Sequence, residues 1–210
     1  MLIIQQVRKD YAGTLILDIP RLSLEKGVYW LTGANGSGKT TLLRILAGMA
    51  PFKGSIFLNN ISLHKQPTGY RSQLGWAEAE PLYPPFVTAR ELIDFYQSTR
   101  KAGTKQVDML INFFGIQSFI NLSVEAYSSG MVKRLSLLLA FIGKPALILL
   151  DEPLATLDAE AAQALPTLIR EYQTAYNTSF IFSSHQPIAD NGLIINSRLI
   201  IANRTVQPAA

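Results

Sequence analysis

The run Gly33-Ala-Asn-Gly-Ser-Gly-Lys39-Thr40 constrains this chain more than any other feature. It fits G-x-x-x-x-G-K-[ST]. It lies between a short apolar run, Val28-Tyr-Trp-Leu31, and a stretch from Thr40 to Met49 that spaces Leu42, Leu43, Ile45 and Leu46 as a helix does. A strand that turns through glycines into a helix brings successive backbone N–H groups onto one point. The helix aims its positive dipole end at that point as well. In this pattern the Lys39 ammonium reaches the β- and γ-phosphates of a nucleotide, and the Thr40 hydroxyl binds Mg²⁺.

The remainder alternates strands with helices, which argues for an α/β fold with a largely parallel sheet. Leu2 to Val7 and Leu15 to Ile19 read as strands joined by a turn at Ala12-Gly13. Gly54 to Leu58, Leu74 to Ala77, Ala146 to Leu150, Ser179 to Ser183 and Leu193 to Ala202 read as further strands, the last as a hairpin turning at Asn196-Ser197. Pro81, Pro84 and Pro85 mark a break, after which Thr88-Ala-Arg-Glu91 resembles a capping box opening a helix through Tyr96. Lys105 to Phe114 and Ser129 to Phe141 are two more helical stretches. Pro166 lacks an N–H and is expected to kink or interrupt the helix around it.

Composition narrows the class. The chain has 210 residues and no cysteine, which excludes a disulfide framework, thiolate zinc sites and a cysteine nucleophile, and fits a reducing compartment. Hydrophobic residues make up 48% and charged ones 16%, so a disordered chain is excluded. The net charge of +4 comes with no Lys/Arg block, and nucleic acid is not an expected partner. Met1 to Ile4 is apolar, but Gln5 and Gln6 end the run too early for a signal peptide. The longest apolar stretch, Leu137 to Ile142, falls far short of the ~18 residues a membrane span needs. A soluble chain is expected, with any membrane passage supplied by another polypeptide.

Two further motifs carry chemistry. Ala146-Leu-Ile-Leu-Leu150 runs directly into Asp151-Glu152-Pro153. Ligands sit at the carboxyl ends of parallel strands, where one carboxylate can hold Mg²⁺ and the next can orient and deprotonate an attacking water. Tyr127-Ser-Ser-Gly-Met131 opens a later helix and offers, with Ser128, Gly130 and exposed N–H groups, a second anion-binding helix start. Simple P-loop kinases and switch GTPases do not need one.

With these motifs in order, the chain resembles the ATP-binding subunit of an ATP-binding cassette (ABC) transporter over essentially all of its length. YSSGM at 127–131 is similar to the LSGGQ family signature in a form resembling single-cassette exporters, with a lean towards export. Ala155-Thr-Leu-Asp158 resembles the family's D-loop and Ser183-Ser184-His185 its switch histidine. Tyr11 stands where an aromatic residue stacks on adenine. The resemblance implies a P-loop NTPase core with a mixed, mainly parallel sheet, an antiparallel N-terminal β part and a helical subdomain at roughly 84–140, all in one domain 1–210.

It also implies roles for single residues. Gly33, Ala34, Asn35, Gly36, Ser37, Gly38, Lys39, Thr40 and Thr41 bind the phosphates of ATP, and Thr40 and Asp151 hold Mg²⁺. Glu152 activates water, with His185 and Lys39 at the γ-phosphate. Ser128 and Gly130 act on ATP held by the opposite subunit of a head-to-tail homodimer, and Asp158 lies at that seam. The implied partner is an integral membrane permease, with the chain peripheral on the cytoplasmic face of the inner membrane. The alternatives are a soluble ABC ATPase acting on nucleic acid or ribosomes, and a slow-hydrolysing ATP-binding module.

The match departs from the family at several points. Ala79, in Glu78-Ala79-Glu80 after the strand at Leu74, occupies the place of a glutamine that touches Mg²⁺ and relays motion to the membrane subunit. That departure bears on coupling and hydrolysis rate, and leaves ATP binding untouched. Ser129, Met131 and Ala155 replace a signature glycine, the signature glutamine and a D-loop serine. His64 is expected to be a surface residue.

Overall fold

The computed structural model describes residues 1–155, 157–185 and 192–209. Strands β1 (Leu2–Tyr11) and β2 (Thr14–Leu24) form a hairpin, and β3 (Val28–Thr32) runs into the glycine loop and α1 (Lys39–Leu46). Then come β4 (Lys53–Leu58), the two-residue β5 (Ile61–Ser62), α2 (Pro67–Arg71) and β6 (Leu74–Ala77). Helices α3 (Ala89–Arg100), α4 (Thr104–Phe113) and α5 (Ser129–Phe141) precede β7 (Leu147–Asp151). The chain closes with α6 (Ala159–Tyr176), β8 (Ser179–Ser183), β9 (Ser197–Ala202) and β10 (Thr205–Pro208).

Two sheets result. One is antiparallel, in the order β2-β1-β4-β5. The other has the order β10-β9-β3-β8-β7-β6, with every neighbouring pair parallel except β9 and β10. All five residues of β7 and of β8 are buried, as expected for strands covered on both faces. Their side chains alternate between two cores. Leu147, Leu149 and Ile181 face α1 and the antiparallel sheet, whereas Ile148, Leu150, Phe180 and Phe182 face the layer of α3 to α6. The loops that leave β3, β6, β7 and β8 therefore share one edge of the sheet.

Two expectations are corrected. Asn196-Ser197 does not turn a hairpin. Asn196 Oδ1 accepts a 2.7 Å hydrogen bond from the Val28 N–H, and β9 begins at Ser197 as a partner of β3. The turn lies at Asn203-Arg204, both left-handed (φ 49° and 65°), the backbone a tight hairpin requires. Nor does Pro166 interrupt α6, which runs unbroken from Ala159 to Tyr176. Pro166 is buried beside Leu165, Leu168 and Ile169, and this packing outweighs one lost backbone bond. Among the described residues, no helix is long and apolar enough to cross a membrane.

Candidate nucleotide site

The phosphate loop begins where β3 ends. Gly36 and Gly38 take φ of 75° and 105°, conformations that suit residues without a Cβ, and a Cβ on Gly38 would press on Ile16 and Leu17 at 3.2 and 3.1 Å. Gly38 caps α1, so that helix starts inside the loop with Lys39, Thr40 and Thr41 in its first turn. Ala34, Asn35 and Gly36 are exposed. The Lys39 ammonium folds over the loop and donates to the carbonyls of Gly33 (2.9 Å) and Ala34 (3.3 Å). The Ser37 hydroxyl is buried without a hydrogen-bond partner among the described residues.

Next along the edge are the carboxylates. Asp151 ends β7, 1% exposed, opposite Ser183 at the end of β8. Ser183 Oγ donates to Asp151 Oδ1 at 2.5 Å and accepts the Glu152 N–H at 2.9 Å. Asp151 Oδ2 and Glu152 Oε1 stay buried without a hydrogen-bond partner among the described residues. Glu152 has a left-handed backbone (φ 46°), a strained state for a residue with a Cβ. Its Oε1 lies 3.4 Å from Nε2 of the half-exposed His185. The Trp30 indole N–H donates to the Ser184 carbonyl at 3.1 Å and fixes the segment just before that histidine.

Buried polar atoms cost free energy unless they are paired. Here they comprise the hydroxyl of Ser37 in the phosphate loop and one carboxylate oxygen each of Asp151 and Glu152. A polyanion with its divalent cation supplies the missing partners for all three. The residues present fit Mg²⁺ with a nucleotide.

Ser128, Gly130 and Asp158 line a hollow of their own, and Tyr11 ends β1. Tyr11 has 46% of its surface exposed, and the Lys9 ammonium lies 4.2 Å from its ring centroid. Ser128 caps α5: its Oγ accepts the Met131 N–H at 3.3 Å, and Met131 Sδ accepts the Ser128 N–H at 3.5 Å. Ser128, Gly130, Met131, Arg134 and Asp158 line one open hollow of about 550 Å³, which includes no residue of the phosphate loop. Arg134 forms an ion pair with Asp158 inside it. Asp158 also caps α6 through the Ala161 N–H at 2.8 Å. A cleft of about 670 Å³ between α2, α3 and the α5–β7 turn contains none of the expected site residues.

Sequence reasoning missed two residues here. Lys133, 1% exposed, donates to the carbonyls of Glu78 and Asp151, each at 2.7 Å, and approaches that of Ala79 at 3.5 Å. Burial lowers its pKa to about 8, although the charges of Asp151, Glu152 and Glu78 oppose that shift. The signal was available: Lys133 shares a helical stripe with Leu137 and Ala140, both fully buried. Arg44, in the last turn of α1, holds Glu78 at 2.5 Å, so that carboxylate is neutralised rather than aimed at a phosphate.

A family model described as ABC transporter matches residues 17–155. The spermidine/putrescine import ATP-binding protein of Legionella pneumophila (strain Philadelphia 1) is 29% identical over 206 residues, which cover 95% of this chain and 56% of the relative. The aliphatic sulfonates import ATP-binding protein of Pseudomonas syringae pv. tomato is 29% identical over 196 residues, covering 92% and 78%. This chain thus spans about half the length of the polyamine-import relative. An ATP-binding subunit of an ABC transporter superposes with a TM-score of 0.87 at 21% identity, over 100% of this chain and 90% of that one. A dimeric ATP-binding cassette in a post-hydrolysis state, bound to ADP and Pi, does so at 0.82 and 18%, over 100% and 98%. These two likenesses establish the fold, and the family model spans more than half of the chain, which therefore belongs to the ABC transporter family as an ATP-binding domain.

Proposed function

We propose that this chain is an ATPase module that works as a homodimer and powers transport through a separate integral membrane permease, peripheral on the cytoplasmic face of the inner membrane. The observation that carries the reading is the trio of buried atoms without a hydrogen-bond partner among the described residues, Ser37 Oγ, Asp151 Oδ2 and Glu152 Oε1, at one end of parallel strands. The import names of the relatives support the transport role.

In this reading Lys39 leaves the Gly33 and Ala34 carbonyls for the phosphates of ATP, beside the N–H groups of residues 33–41. Tyr11 stacks on adenine with its exposed face. Thr40 and Asp151 would hold Mg²⁺. That ion screens phosphate charge and polarises the oxygens it touches. Glu152 Oε1 orients a water and takes its proton, and His185 contacts the γ-phosphate. Ser128 and Gly130 engage ATP carried by the second copy. Their hollow contains no part of their own phosphate loop, which supports action across the dimer. Asp158 lies at that seam, where closing must compete with its ion pair to Arg134. ATP bridges the two copies and hydrolysis releases them.

The test is to tag the chain, solubilise host membranes in mild detergent and identify what co-purifies. A polytopic membrane protein in stoichiometric amount supports the reading. Recovery with ribosomes, with nucleic acid or alone overturns the transport role.

A further inference from the structure

Three carbonyls from two different strand exits converge on one buried ammonium. Lys133 Nζ lies 2.7 Å from Glu78 O and 3.5 Å from Ala79 O, just past β6, and 2.7 Å from Asp151 O at the end of β7. A desolvated ammonium is stable only when its N–H groups are matched, and here neutral backbone oxygens match them. The side chain thus ties two loops whose strands are adjacent and parallel, Ala77 pairing with Leu150. It does so from α5, whose first turn presents Ser128 and Gly130 to the separate hollow. Lys133 is only five residues from Ser128, about a turn and a half along a rigid helix. The same side chain thus links the helix that starts at Ser129 to the peptide between Asp151 and Glu152.

We infer that Lys133 is a positioning residue that couples the start of α5 to the Asp151–Glu152 carboxylates, so that capture of the opposite copy's ATP sets the geometry for hydrolysis. It touches no substrate and acts only through the peptide carbonyls it holds. The inference rests on the dimeric ATPase reading above. Its distinctive consequence is that ATP affinity and turnover separate. Lys39 and the loop amides bind nucleotide without Lys133, whereas placement of Glu152 depends on it.

The test uses the full chain with Lys133→Met, which keeps the length and removes the donors, and Lys133→Gln, which keeps a shorter donor. In Mg-ATP kinetics, kcat falls about 10²-fold for Lys133→Met, the scale of a misplaced catalytic group, while KM stays within about twofold. Lys133→Gln lies between the two. Hydrogen exchange on the nucleotide-free protein reads the tie without any turnover: the amides of 78–80 and 152 exchange faster in both variants, while those of β3 do not change. An unchanged kcat, or a KM that rises in step with a falling kcat, overturns the inference. So does unchanged exchange at 78–80 and 152. If Lys133→Met does not fold, Lys133→Gln carries the same readings. A parent chain that hydrolyses no ATP defeats the ATPase reading instead, and the exchange experiment still decides whether Lys133 ties the two loops.

Discussion

The Ser183 hydroxyl sits between Asp151 and Glu152, donating to the carboxylate of the first and accepting the N–H of the second. Asp151 spends one oxygen on this bond and keeps Oδ2 unpaired. The same hydroxyl holds the strained backbone of Glu152. Ser183→Ala removes a hydrogen bond to a charged group, of a kind worth about 1.5–3 kcal/mol. If that loss falls on the transition state, kcat drops about 10- to 100-fold. Steady-state kinetics on a variant with unchanged circular dichroism checks this.

Lys39 donates to the carbonyls of Gly33 and Ala34 in its own loop, which accept its ammonium without cancelling its charge. Lys39→Ala therefore weakens Mg-ATP binding by at least about tenfold, the loss of one charge-assisted bond to phosphate. Calorimetric titration reads the affinity, and unchanged binding would remove Lys39 from the site.

Gly75 in β6 packs directly against the backbone of α5 at Ala140. A Cβ there would meet the Ala140 carbonyl at 2.1 Å and Ile148 Cγ1 at 2.9 Å. Gly75→Ala must push strand and helix apart. It lowers stability by about 1–3 kcal/mol, as overpacking does, read as a shift in the denaturant midpoint.

Helix α3 opens with a full capping box: Thr88 Oγ1 accepts the Glu91 N–H at 3.2 Å, and Glu91 Oε2 accepts the Thr88 N–H at 2.8 Å. Thr88→Ala costs about 1 kcal/mol. The bonds from Thr88 hold the Glu91 carboxyl below its ordinary 4.5. Its folded pKa is lower than its unfolded one, so its contribution is present above pH 4.5 and lost as pH falls through the folded value. Glu91→Gln therefore flattens that part of the acid limb in a stability-against-pH series.

Local chemistry made much of this legible in the sequence. The capping box at Thr88, the start of α5 after Ser128 and the turn into α1 each depend on residues three or four apart, and all lie where the pattern put them. Asn203-Arg204 also followed a local rule, an asparagine between apolar alternations, but the longer apolar run from Leu193 hid it. Pro166 obeys its local rule only until burial in the core overrides it. Lys133 and Ser183 belong to another class. Their partners lie 18 to 55 residues away, and only the pairing of β6, β7 and β8 brings them together.

The central claim is that two copies of this chain close on ATP and that Glu152 reopens them by hydrolysis. Glu152→Gln keeps the backbone bond to Ser183 and the length of the side chain, and removes the base together with its charge beside His185. The measurement is sedimentation velocity of this variant with saturating Mg-ATP, alongside phosphate release. The account predicts a stable dimer, absent with ADP, and no turnover. A variant that stays monomeric with ATP, or that releases phosphate at the parental rate, contradicts it.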